Sequence, residues 1–348
     1  MVVIIVIAGL VIFLAVLPKG RGSGRGLAAP PVTTTTTPVP TTVAPGLQRD
    51  LPDPEGVLLD APLELLVADG RGLRTIDLQT GEEWLAETSP DLRSVTDLGS
   101  MLVVVEAGQA RVAGIVEGEA IVLGGAQTLL GSDIPGRLWL VDEGVITEVE
   151  ADGGVTRGPY PLPEGLVPRR STRDWLIGDG EAGVVGVSTA EGRVTELASG
   201  QLLTARGDTL VWTDCGDGQA DPCATMVTDL RSGTDRFLDV PEGTDLLLGA
   251  ISPDERWLAL SGFDTDDLPA LILIDYSAND EITIVPTETQ PDWYDISEPW
   301  SPDGSLMVWR AFDDAETLWA HRIGEDRVDQ IAVAVRGEVN DAILRTRR

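Results

Sequence analysis

From residue 56 to the C-terminus the chain alternates short apolar runs with Gly-, Asp- and Glu-rich turns. Residues 63–68 (LELLVA), 101–105 (MLVVV), 137–141 (RLWLV), 209–213 (TLVWT), 257–260 (WLAL) and 270–274 (ALILI) are typical of the runs. Each has a strand's length, and turn signals recur every 8–12 residues or so. No stretch long enough for an ordinary helix carries an apolar stripe at helical spacing. The pattern predicts an all-β domain: a sandwich, a barrel or a propeller.

Internal repetition selects among these. Residues 251–260 read ISPDERWLAL and residues 300–309 read WSPDGSLMVW. Both fit apolar-Ser-Pro-Asp-x-x followed by four apolar positions, at a spacing of roughly 49 residues, in the range of a propeller blade. Pro fixes φ and Asp caps backbone amides, so Ser-Pro-Asp makes a tight turn. It is expected to carry the chain from one blade's outer strand into the next blade's inner strand. Inner strands, covered on both faces, should read as unbroken runs such as 271–274 (LILI). Residues 77–82 (DLQTGE) and 229–234 (DLRSGT) share a second turn, expected between third and fourth strands.

These repeats resemble those of TolB-like β-propellers, relatives of the WD-repeat class. The resemblance is clearest over about residues 245–335, and it implies a ring of radial four-stranded blades. Seven blades fit best, with six as the alternative. The units fall at about 57–92, 93–125, 126–163, 164–200, 201–241, 242–290 and 291–334, with 338–345 (EVNDAILR) returning to close the ring beside the first blade. Such propellers host many roles, so the fold alone assigns none.

The N-terminus differs in kind. Residues 1–17 (MVVIIVIAGLVIFLAVL) carry no charge and match the lower length limit of a membrane-spanning helix. No basic segment precedes them, which disfavours a cleaved signal peptide. Lys19, Arg21 and Arg25 follow the run, an arrangement that taken literally puts the remainder in the cytoplasm. Residues 30–45 (PPVTTTTTPVPTTVAP) argue the opposite, having the Thr/Pro composition of an extracellular stalk. The expected organisation is a transmembrane signal-anchor helix over 1–17, a basic then Thr/Pro-rich stalk over 18–55, and a propeller over 56–348 on the extracytoplasmic side.

Charge and cysteine content sharpen this picture. The formal net charge is −32, which repels nucleic-acid phosphates and excludes nucleic acid as a partner. Cys215 and Cys223 flank the turn-forming GDGQADP between two strand-like runs, the geometry of a hairpin neck where a disulfide fits. A disulfide agrees with export.

Candidate chemistry is sparse. The single histidine, His321, excludes any site needing two imidazoles. It sits on a strand beside Trp319, a structural setting, and no Ser-His-Asp arrangement can be assembled. No carboxylate pair stands apart from the many acidic turns, so no catalytic residue is assigned. Asp214, Asp217 and Asp221 around the cysteine loop, and Asp264, Asp266 and Asp267 in another turn, supply the oxygen ligands calcium takes, without EF-hand spacing. Trp293, Tyr294 and Trp300 lie in an aromatic-acidic loop (290–300) that should cross one end of the ring, where they either contact a ligand or staple the last blade to its neighbour. The functional expectation is a non-enzymatic binding or scaffold module at the cell envelope, tethered to the membrane through residues 1–17 and receiving a protein or glycan. The alternative is an exported glycoside or lactone hydrolase with axial carboxylates and, in one form, calcium.

Overall fold

The computed structural model describes residues 4–7, 10–13 and 56–347, apart from residues 90, 100, 114–120, 182, 216–222, 241–245, 247, 264–265, 267, 313–315, 326 and 336–338. The chain forms two units, residues 1–44 and 45–348. In the first, Ile4–Ile7 and Leu10–Phe13 pair as an antiparallel ladder. The transmembrane helix and stalk expected over 1–55 otherwise fall outside the described residues. Among the described residues no helix is long and apolar enough to cross a membrane.

The second unit is all-β. Its described residues build seven sheets, antiparallel throughout except where the short strand Ile296–Glu298 joins one of them in parallel. The innermost strands of blades 2 to 6 are Leu92–Asp97, Thr128–Gly131, Val167–Ser171, Gln201–Arg206 and Leu248–Ile251, and each lies beside the next. Blade 7 begins with the short strand Pro291–Asp292, and the piece Ile296–Glu298 that follows it joins the sheet of blade 1. Blade 1 takes its innermost strand from the other end of the chain. Val339–Thr346 pairs antiparallel with Leu63–Asp69 and, on its other edge, parallel with Ile296–Glu298. The ring is thereby closed, which removes the exposed edges an open sheet would present. The seven-bladed reading agrees with the sequence-based expectation, and the closing strand falls at Val339–Thr346, beside the first blade as expected.

The core lies between blades. Leu66, Val67, Leu138, Trp139, Leu258, Ile274, Met307 and Trp309 are essentially inaccessible. Each blade is covered on both faces by its neighbours, so its middle strands read as continuous apolar runs.

Two turn motifs recur with common geometry. Ser252 Oγ accepts from the Trp257 amide (2.9 Å) and donates to Asp254 (2.5 Å). Ser301 Oγ accepts from the Leu306 amide (3.0 Å) and donates to Asp303 (2.7 Å). Their position corrects the expectation: both turns link the first and second strands within a blade and do not carry the chain between blades. The LILI run likewise belongs to the third strand of blade 6, Pro269–Asp275, because neighbouring blades bury that strand as fully as an inner one. The Asp-Leu-x-[Ser/Thr]-Gly turns do join third and fourth strands. Asp77 and Asp229 each accept two backbone amides at 2.8–3.0 Å, and Gly81 and Gly233 take left-handed φ values of 74° and 67°.

Cys215 and Cys223 form the expected disulfide at the neck of a blade 5 hairpin, with Cα atoms 4.0 Å apart. They directly follow and precede the paired residues Asp214 and Ala224.

Candidate functional site

Two adjacent innermost strands bring arginines to the axis of the ring. In Val167–Ser171, Pro168 pairs with Gly178 and Arg170 with Ile177, leaving Arg169 as the extra residue of a β-bulge. Regular alternation would send Arg169 and Arg170 to opposite faces; a bulge interrupts it and re-aims side chains. The neighbouring strand Gln201–Arg206 carries a bulge at Leu203 and ends in Arg206.

These guanidiniums meet blade 7 across the axis. The Arg169 guanidinium carbon lies 5.8 Å from the centre of the Tyr294 ring, a cation–π contact, and Arg169 also reaches Asp179 at 3.4 Å. Arg206 Nη1 donates to Glu298 (3.1 Å) and to the Ile251 carbonyl (3.4 Å). Arg170 sits between them, donating from Nη1 to the Arg169 carbonyl (2.9 Å) and from Nε to Thr204 Oγ1 (3.5 Å). Burial disfavours its charge, Glu298 favours it, and Arg169 and Arg206 add like-charge repulsion, with the net effect of lowering its pKa.

A carboxyl group stands on the innermost strand of blade 1. Asp341, on the closing strand, accepts from Ser94 Oγ and the Val95 amide at 2.9 Å each. Burial pushes its pKa up to about 6, against the pull of these bonds and of Ser297.

The aromatic loop divides. Tyr294 is 67% exposed, whereas Trp293 and Trp300 are only 2% and 1% exposed. Trp293 Nε1 donates to the Gly249 carbonyl and Trp300 Nε1 to the Ala250 carbonyl, each at 3.3 Å. The two tryptophans therefore staple blade 7 to the innermost strand of blade 6, the second of the two expected roles, and Tyr294 is the exposed aromatic of the three. Their acidic neighbours suggested a wet loop, but each indole reaches a backbone acceptor in the adjacent blade.

His321 is buried, with Nδ1 2.9 Å from the Arg327 carbonyl. Burial lowers its pKa despite that carbonyl and nearby acids. Asp214 is half-buried at the hairpin neck and Asp266 is exposed in a turn. Asp217, Asp221, Asp264 and Asp267 lie outside the described residues. Among the described residues no group of three or more His, Cys, Asp or Glu side chains is placed to hold a metal ion.

The arginine cluster is absent from the sequence reading. Its signal was available: Arg169-Arg170 is an adjacent basic pair inside a strand of a strongly acidic chain.

No protein-family model matches this chain, and no curated protein does. Solved structures similar to it include TolB from Acinetobacter baumannii, at 13% identity and a TM-score of 0.47, covering 81% of this chain and 66% of that one. Hsv2 from Kluyveromyces lactis is similar at 11% identity and a TM-score of 0.48, covering 68% and 74%. A chain of the mitotic checkpoint complex is similar at 14% identity and a TM-score of 0.45, covering 92% and 90%. Nothing about activity or partner follows from likenesses of this size.

Proposed function

We propose that this chain is an exported, membrane-held propeller that acts as a non-enzymatic binding module and receives a protein partner at the axial end of its ring. The observation that carries the reading is the exposed Tyr294 ring facing Arg169 across the axis. An aromatic with a polar tip, beside guanidiniums on a closed and rigid ring, is the composition of a protein-docking surface. Export is supported by the Cys215–Cys223 disulfide, which persists outside a reducing cytosol, and by the Thr/Pro-rich segment. The apolar residues 1–17 supply the tether.

The test is capture of partners by the full chain from envelope extract by cross-linking, beside its Tyr294→Ala variant and across a salt titration. Partners lost with Tyr294→Ala support axial docking, and identical capture by both proteins refutes it. Capture that falls as salt rises assigns a share of recognition to charge.

A second reading, an exported hydrolase, has Asp341 in its favour. A carboxyl with a pKa of about 6 retains a proton closer to neutral pH than most, as a general acid does. Glycoside cleavage needs a second carboxyl about 5–10 Å away. Turnover of chromogenic glycosides or lactones, abolished by Asp341→Asn, would establish it.

A further inference from the structure

The arginines at the axis oppose the charge of the chain as a whole, which is −32. Arg169 shares its charge with Asp179 and the Tyr294 ring. Arg206 shares its charge with Glu298. Arg170 differs from both. Among the described residues no carboxylate lies within ion-pair distance of it, and its two bonds go to neutral oxygens, the Arg169 carbonyl and Thr204 Oγ1. A guanidinium has five N–H donors and does not give up its proton at any ordinary pH. Arg170 therefore retains a charge that its surroundings disfavour, with most of its donors unused, between two further cations.

An oxyanion relieves that arrangement directly. The planar fork of arginine matches a carboxylate with two parallel hydrogen bonds. The rest of the surface limits what can carry the anion. A polyanion approaching a chain of charge −32 is repelled before it reaches the axis, whereas one oxyanion on a neutral or cationic body is repelled little or attracted. Tyr294, exposed beside the cluster, gives an apolar face to the chain bearing the anion.

We propose that the axial end of the ring is an oxyanion site, built on Arg170 with Arg169 and Arg206, that takes a single carboxylate from a protein segment otherwise neutral or basic. The proposal deepens the binding reading above and rests on it for the partner, though not for the anion.

The experiment is isothermal titration of the full chain in detergent with a short Lys/Gly/Tyr peptide ending in a free carboxylate, with the same peptide amidated, and with inorganic phosphate. The free acid is expected to bind at least about tenfold more tightly than the amide, a difference near 1.4 kcal/mol. Arg170→Gln should erase that preference with the melting temperature nearly unchanged, and Arg170→Lys should keep only part of it. Equal binding of acid and amide, or no binding of either, overturns the proposal; so does a preference that survives Arg170→Gln. Phosphate binding lost in Arg170→Gln without any preference for the acid also overturns the carboxylate, in favour of phosphate. If Arg170→Gln unfolds, competition by acetate against acetamide on the unaltered chain decides: only acetate should displace the peptide acid. An acid preference without any Tyr294-dependent capture fails the docking reading and leaves the anion site standing. Tyr294-dependent capture without an acid preference does the reverse.

Discussion

Asp341 on the closing strand and Ser94 on the innermost strand of blade 2 meet in a 2.9 Å hydrogen bond across 247 residues of sequence. The same carboxyl oxygen also accepts the Val95 amide, so one half-buried acid ties the last strand to the second blade.

That acid makes stability pH-dependent in a predictable direction. Its folded pKa, about 6, lies above the ordinary value of 3.8, so the folded chain binds the proton more tightly than the unfolded chain. Ionisation therefore costs stability. The penalty is absent below about pH 4, grows between the two values and is complete above about pH 6. Asp341→Asn should gain roughly 2–3 kcal/mol relative to the unaltered chain as pH rises from 4 to 7. Paired urea melts at several pH values check this, because the other titrating groups cancel in the difference.

The aromatic loop should split by function. Trp300→Phe leaves the Ala250 carbonyl without its indole donor and should cost about 1 kcal/mol or more, while Trp300→Ala should cost about 3–5 kcal/mol. Tyr294→Ala should change stability by no more than about 0.5 kcal/mol. Denaturant melts beside the capture assay distinguish staple from contact.

Reducing Cys215–Cys223 opens a loop of about nine residues and should cost about 2.5 kcal/mol in the chain-entropy model. The expected readout is a melting temperature lower by several degrees with reductant, and no shift in a Cys215→Ser/Cys223→Ser double variant.

Glu148 is inaccessible and accepts bonds from Arg157, Ser132 (2.5 Å) and Thr156 (2.6 Å). Burial pulls its pKa up, but those bonds outweigh burial and hold it below the usual value. Its contribution is present above the unfolded pKa of about 4.5 and is lost as pH falls through the lower folded value. Glu148→Ala takes one of two carboxylate partners from Arg157, which keeps Asp133 at 2.9 Å, and should cost about 2–3 kcal/mol by urea melt, with Glu148→Gln milder.

Much of the architecture was legible in the chain. Asp77 and Asp229 each announce a turn whose carboxylate caps two amides, and the cysteines flank turn formers that allow only a tight neck. These signals are local, and local chemistry survives folding. The Ser-Pro-Asp turns were recognised but placed between blades, because the turn's own geometry is the same wherever the chain goes next. The staple at Trp293 and Trp300 was one of two readings, and the chain alone did not choose it, because the carbonyls that accept their indoles belong to residues 44 and 50 positions away. The Arg169-Arg170 pair was visible as a basic pair in an acidic chain, but its joint aim was not, because a bulge breaks the alternation from which strand faces are read.

The closing strand also sets the order of events in biosynthesis. Glu64 is made early, and its partner Arg345, bound at 2.6 Å in the finished ring, emerges 281 residues later. At about 5–20 residues per second that interval lasts tens of seconds. Throughout it the strand Leu63–Asp69, inaccessible along its whole length in the closed ring, has one edge unpaired. A nascent chain in that condition presents an open strand edge, and a product truncated short of residue 339 should be more prone to join its own copies.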